Sequence, residues 1–169
     1  QARVMAARPA LLAGWVKAWL ILSSLVVIWD LLFVILRPRS LPGGDLHYIW
    51  SPYKLYISVD KAYGDTNNAF VAAQSWVNAV EVFFNFVALT IPEPAGALLA
   101  LLSLTATFAK TVLYSVVEAC TGFENVSHND TLTLIGLYIV PNNVWTVVPF
   151  LSIISIFKRA SRALSGKSD

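Results

Sequence analysis

Four long apolar runs, at about 10–36, 69–91, 95–119 and 132–157, dominate the chain and are separated by stretches rich in Pro, Gly, Asn and charged residues. A helix needs about 20 mostly apolar residues to cross about 30 Å of hydrocarbon. All four runs meet that length, so the pattern predicts an all-α membrane protein, a four-transmembrane-helix bundle with a polar intramembrane cavity, as a single domain over residues 1–169. Pro9 stands where the first helix is expected to start, and "RPRSLPGG" ends it with residues that break helices. Residues 37–68 form a long polar connection rich in Tyr and Trp, read as a partly helical segment at the membrane interface. "PEPAG" makes a tight turn between the second and third helices, and "TGFENVSHND" joins the third to the fourth. The first run is too long for a signal peptide, lacks a small-residue cleavage pattern and carries Asp30 well inside it, so it is expected to span the membrane.

Polar residues interrupt each run at helical spacing. Positions i, i+4, i+7 and i+11 share one helix face. In the second helix these are Gln74, Asn78, Glu81 and Asn85; in the third, Ser103, Thr107, Lys110 and Tyr114, extended by Glu118. The fourth offers Tyr138, Asn142 and Trp145 with Pro149 below, and the first offers Trp19, Ser23, Val26 and Asp30. By depth, Glu81 and Trp145 fall near the midplane, and Asp30, Lys110 and Asn142 in the half away from the termini, so these five are expected to meet around one cavity. An ionisable group turned toward lipid costs about 2.5–3.5 kcal/mol or more, so such groups face inward and pair. The competing account is structural. Polar seams can be interhelical hydrogen bonds worth about 0.6–2 kcal/mol each, and Lys110 can pair with Asp30, Glu81 or Glu118 for stability alone. Glu118 and Lys17 lie near helix ends, where snorkelling explains them.

Composition agrees with the pattern. The chain is 57% hydrophobic and 13% charged, with a mean hydropathy of +0.64, far more apolar than a soluble domain. Its net charge of +2 gives no basis for nucleic-acid binding. The single Cys120 rules out an internal disulfide, and His47 and His128 sit in separate loops with no metal-ligand spacing, so no metal is expected. Four crossings bring both termini to one side. Arg3, Arg8, Lys158, Arg159, Arg162 and Lys167 make that side the expected cytoplasmic one, against Arg37, Arg39, Lys54 and Lys61 opposite. Two N-glycosylation acceptor patterns, Asn125-Val-Ser127 and Asn129-Asp-Thr131, fall in a loop assigned to the far side.

The stretch "VLYSVVEACTGFENVSHNDTLTLIGLYIVPNNVWTVVP" resembles the EXPERA-domain family, in particular its emopamil-binding sterol double-bond isomerases, through Val112-Leu113-Tyr114, Glu118, Gly122-Phe123 and the N-x-x-W-x-x-x-P of Asn142, Trp145 and Pro149. "WDLLFVILRP" with Asp30 looks like the acid-bearing first helix of the same family, which includes the sigma-two receptor. "YKLYISVDKAY", followed by Glu81, is similar to its loop and second helix. The resemblance implies that Asp30, Glu81, Asn142 and Trp145 surround an isoprenoid or sterol ligand as catalytic residues. Asn78, Asn85, Gln74, Lys110, Tyr114, Glu118 and Tyr138 are then the expected substrate-binding residues around them. It also implies residence in the endoplasmic reticulum, contact with membrane lipids and a homodimer. Val26 stands where the family's isomerase carries a His one turn before its first acid, which favours a cyclase or an isomerase of another substrate.

The expected chemistry is redox-neutral. Moving or closing onto a carbon–carbon double bond starts with a proton from a general acid and passes through a carbocation. Glu81 is the expected donor, Asp30 the base or the group that orients it, Asn142 a hydrogen-bonding support, and Trp145 a ring face for the cation. Lys110 decides between the acids, because the one it pairs with is the poorer donor. No nucleotide, flavin or haem motif is present, and no cofactor is expected. Two other functions stay open: a non-catalytic sterol or cationic-amphiphile binding protein, and a structural subunit whose polar seams meet a partner.

Overall fold

The computed structural model describes residues 10–165, and Pro9, Arg3, Arg8 and Lys167 lie outside the described residues. The described residues form helices and no strand. Four helices are long and apolar enough to cross a membrane: Gly14–Ile35, Ala69–Thr90, Ala95–Cys120 and Thr131–Leu164, the first to fourth spans. The protein is an all-α integral membrane protein. Its outer surface is largely apolar, and a polar seam runs through an otherwise apolar interior. Leu22, Leu25, Trp76, Phe83, Leu102 and Phe157 are exposed, whereas Ser24, Ser75, Asn78, Glu81, Asn85, Ser103 and Thr107 are buried. In a hydrocarbon solvent that arrangement is the favourable one, since polar groups gain only by meeting each other.

Local chemistry sets the ends of each span. The first begins four residues later than the apolar run, because Glu93 in the 92–94 turn accepts from the backbone N–H groups of Leu11 and Leu12 at 2.5 and 3.1 Å and holds that bend out of the helix. Asn68 caps the second span through Val71 N–H at 3.0 Å, and Asp130 caps the fourth through Leu132 and Thr133. The fourth span is not regular. Leu134–Ile139 forms a π-helical turn just before Pro141, a proline that lacks the N–H an α-helix needs and whose ring crowds the carbonyl one turn back.

Adjacent spans pack in sequence order, first on second, second on third, third on fourth. First and fourth meet mainly near the terminal end. There Ile156 joins Leu12, Val16, Leu20, Ala97, Ala100 and Leu104 in one apolar cluster, Trp19 meets Trp145 edge-on at 5.5 Å, and Arg159 donates to Ala10 O at 3.0 Å. Both ends of the described chain therefore lie together.

At the opposite end the 37–68 connection folds back onto the bundle. It contains a 3-10 turn, His47–Trp50, and two short helices, Tyr53–Val59 and Lys61–Gly64. Ser40 donates to Phe33 O at 2.5 Å, Trp50 Nε1 to Trp29 O at 2.8 Å, and the Arg37 guanidinium to the carbonyls of Val34, Tyr63 and Asp65. Trp50 and Tyr53 are buried, and only Tyr48 is strongly exposed among these aromatics. The aromatic residues that composition suggests for a headgroup belt thus mostly turn into the protein, because Phe33, Trp50 and Tyr53 form one apolar cluster with the end of the first span.

The two glycosylation patterns take a different role as well. Asn125 Nδ2 donates to Glu118 Oε2 at 2.9 Å, and Asn129 Nδ2 donates to Val59 O and Val126 O at 2.8 and 2.7 Å. Each acceptor nitrogen is engaged inside the fold, so the patterns lend no support to a topology.

Gly96 lies at the start of the third span, against the end of the second. A Cβ there would meet Ala88 O at 2.5 Å and Ile91 O at 2.8 Å, both backbone atoms. Gly96→Ala is expected to cost about 1–3 kcal/mol through overpacking, whereas Gly14→Ala, with nothing within 4 Å, should stay within about 0.5 kcal/mol. Thermal unfolding of the two variants in detergent checks this, and equal midpoints would contradict it.

Candidate functional site

A cavity of about 200 Å³ lies beneath the folded-back connection, walled by all four spans. The first span contributes Val26, Val27, Trp29 and Asp30, the second Gln74 and Asn78, the third Lys110, Thr111 and Tyr114, and the fourth Pro141, Asn142 and Trp145. Tyr53, Tyr56 and Tyr63 close it from the connection. Helical periodicity explains why Asp30, Gln74, Asn78, Lys110, Tyr114, Asn142 and Trp145 converge: each comes from the polar face of its span, between the midplane and the end away from the termini.

Asp30 is held by phenols. Its Oδ1 accepts from Tyr53 at 2.5 Å and its Oδ2 from Tyr63 at 3.4 Å. Burial first, and the Asp30 carboxylate second, keep both phenols far above their ordinary titration range, so each retains the proton it donates. Among the described residues no Lys or Arg forms a salt bridge with Asp30. Lys110 turns instead to Glu81, with Nζ 3.4 Å from Oε2, and donates to Asn78 Oδ1. Thr107 adds a hydrogen bond to the same Glu81 oxygen at 2.9 Å, while Oε1 is buried without a partner.

Of the residues that sequence assigns to catalysis, Asp30, Asn142 and Trp145 line the cavity, and Glu81 does not. Glu81 lies one turn below Asn78, enclosed between Thr107 and Lys110, and is a counter-ion to the lysine rather than a wall of the chamber. Among the assigned substrate-binding residues, Gln74, Asn78, Lys110 and Tyr114 line the cavity. Asn85 is deeper, donating to Ser24 Oγ at 3.1 Å and accepting from Ser103 at 2.8 Å, so it ties three spans together. Glu118 takes the backbone N–H and side chain of Asn125, both at 2.9 Å, and anchors the loop that turns at Gly122 and Phe123 with positive φ. Tyr138 sits in the π-helical turn, its ring 6.5 Å from that of Tyr114 and its hydroxyl buried without a partner.

Sequence reasoning missed the roof. Tyr53, Tyr56 and Tyr63 interlock at 4.9–6.4 Å, and the Tyr56 hydroxyl faces the Asn142 side chain. The available signal was the i, i+3 spacing of Tyr53 and Tyr56 on one helical face beside an acid, Asp60. That acid is 1% exposed, caps the following helix through Ala62 N–H at 3.1 Å and accepts from the hydroxyl of Tyr114, a cavity residue, at 2.5 Å. Burial pushes the Asp60 carboxyl up to about 6, against the Tyr114 and Ala62 hydrogen bonds that lower it; Glu118 raises it further and His128 lowers it.

Among the described residues no group of three His, Cys, Asp or Glu side chains is placed to hold a metal ion. Comparison with family models, with curated proteins and with solved structures found no match to this chain.

Two outcomes follow from the site's charges. Removing one partner of a buried ion pair costs about 3–5 kcal/mol, so Lys110→Met alone should be strongly destabilising, and Glu81→Gln combined with it should recover most of the loss. A cycle of detergent unfolding measurements reads the coupling, and additive effects would rule out the pair. For Asp60, the folded state binds its proton more tightly than the unfolded state does, so between about 4 and 6 folding takes up protons. Its contribution therefore makes the protein more stable as pH falls through 6 toward 4, on the order of 3 kcal/mol. Asp60→Asn should remove that rise from the pH profile of thermal unfolding, and an unchanged profile would refute it.

Proposed function

We propose that the protein is a membrane-embedded isomerase or cyclase that acts on a terpenoid, sterol or prenylated lipid by proton transfer through a carbocation, with Asp30 as the proton-exchanging acid. One observation carries this reading: Asp30 lines an intramembrane cavity, hydrogen-bonded by two phenols and, among the described residues, in no salt bridge, while Lys110 in the same cavity is paired with Glu81. A carboxyl outside any ion pair can hold and release a proton against a substrate. Asn142 and Trp145 share the cavity with it. The Trp145 ring offers a face to transient positive charge, an interaction of about 0.5–2 kcal/mol, and its nitrogen lone pair is delocalised into the ring rather than free to trap a cation. The resemblance of these positions to EXPERA-domain isomerases supports the same roles.

A cavity of about 200 Å³ is below the 300–1,000 Å³ of a site that engulfs a whole drug-sized ligand. It fits the reacting end of an isoprenoid whose remaining chain lies along the apolar spans. Location in the endoplasmic reticulum, cytoplasmic termini and a homodimer belong to this proposal through the family resemblance and the basic end of the fourth span, with Lys158, Arg159 and Arg162.

A second reading has the same acid as its support. Asp30 without a cationic partner, beside Trp29, Trp145 and the tyrosines, is also suited to the ammonium of a cationic amphiphile bound without turnover.

Lipid extraction and mass spectrometry of the purified protein identify the co-purifying isoprenoid, which is then assayed for turnover. Asp30→Asn is expected to lower kcat by about 100-fold or more, the usual range for loss of a general acid, with ligand affinity largely retained. Undiminished turnover in that variant overturns the assignment of Asp30. Absence of product from every isoprenoid, together with loss of cationic-amphiphile affinity in Asp30→Asn, selects the binding reading instead.

A further inference from the structure

Several hydrogen-bond donors around the cavity are already committed. The phenols of Tyr53 and Tyr63 donate to Asp30 and that of Tyr114 to Asp60. The indole of Trp29 donates to Ile49 O at 3.3 Å, and the Asn142 amide to Tyr138 O at 2.8 Å. On the wall made by the second and third spans stands, among the described residues, the one cationic donor that lines the cavity. An ammonium carries three donors, and Lys110 directs two of them at Asn78 and Glu81. The side chain is 13% exposed and lines the cavity, so the third donor is left for whatever fills that space. Gln74, one turn from Asn78 on the same face, lines the cavity too.

We infer that Lys110 and Gln74 form a subsite for a neutral acceptor oxygen, so that the ligand is an oxygenated isoprenoid, such as an alcohol, ether, ketone or epoxide, rather than a hydrocarbon. The inference rests on the isoprenoid reading above and adds the ligand's functional group. Charge selects neutral oxygen over an anion. Lys110 is paired with Glu81, and the Asp30 carboxyl lines the same cavity, so a diphosphate or carboxylate would meet one ammonium already set against two carboxyl groups. The subsite comes from the second and third spans and the acid from the first. A ligand anchored by its oxygen at Lys110 is therefore held across the cavity from the wall that carries Asp30.

The test uses the full chain purified in detergent and three probes of one carbon skeleton: farnesol, farnesyl methyl ether, which only accepts hydrogen bonds, and the hydrocarbon farnesene. Binding is followed by tryptophan fluorescence. A hydrogen bond from a charged donor corresponds to a preference of about tenfold or more, so wild-type protein is expected to favour both oxygenated probes over farnesene by at least that factor. Gln74→Leu should narrow the preference. Lys110→Met combined with Glu81→Gln, which leaves no stranded charge, should abolish it while farnesene affinity stays within about twofold, and that retained affinity shows that the variant folds. Equal affinities for the three probes in wild type, or a preference that survives in both variants, overturns the subsite.

The outcomes separate this inference from the one it rests on. Turnover lost in Asp30→Asn with no oxygen preference removes the subsite and leaves the enzyme. An oxygen preference that depends on Lys110, with no turnover of any isoprenoid, keeps the subsite and removes the enzyme.

Discussion

Glu81 and Lys110, 3.4 Å apart between the second and third spans, set the electrostatics of everything above them. A lysine in the half of the bundle away from the termini must find an anion there, since lipid offers none and desolvation of a lone ammonium is expensive. Two acids are within reach of that role. By taking the deeper one, the lysine removes Glu81 from the cavity and leaves Asp30 to neutral partners. Asn78 and Thr107 complete the arrangement as acceptor and donor, so the pair is hydrogen-bonded as well as charge-matched. The seam continues downward through Asn85, Ser103 and Ser24, where it is purely structural. One polar stripe thus changes role with depth, from interhelical packing to ion pair to cavity wall.

The roof over that cavity is made by the connection rather than by the spans. Arg37 fastens it to the end of the first span through three carbonyls, and Asp60 fastens it to the third through Tyr114. Between those ties the tyrosines are brought over Asp30. The connection also keeps Tyr53 and Tyr63 in the positions that hold the Asp30 carboxyl, so the chemistry of a membrane residue is set by a segment outside the membrane-spanning helices. This is why the acid's surroundings depend on a loop that separates the first and second spans by more than 30 residues.

Legibility was uneven along the chain for definite reasons. Spans were visible because hydrocarbon thickness sets a length and a composition that few other structures satisfy. Seam faces were visible because helical geometry places i, i+4 and i+7 together whatever the tertiary fold, and it is those faces that supply Asp30, Gln74, Asn78, Lys110, Tyr114, Asn142 and Trp145 to the cavity. Glu81, Asn85, Glu118 and Tyr138 share the same faces but not the same depth or neighbours, and periodicity says nothing about either. The π-helical turn before Pro141 was hidden for a related cause, since a proline in an apolar run is compatible with a kink, a break or a widened turn.

What the sequence by itself determined is the set of helices and the side each turns inward, because both follow from short-range geometry and from the solvent the chain must live in. Only the tertiary structure decided which acid the lysine takes, which tyrosines cover the cavity and which carboxyl is left facing it. Those outcomes depend on contacts between residues more than 20 positions apart, such as Glu81 with Lys110 or Asp30 with Tyr53, and no local pattern encodes a choice between partners that lie on different helices.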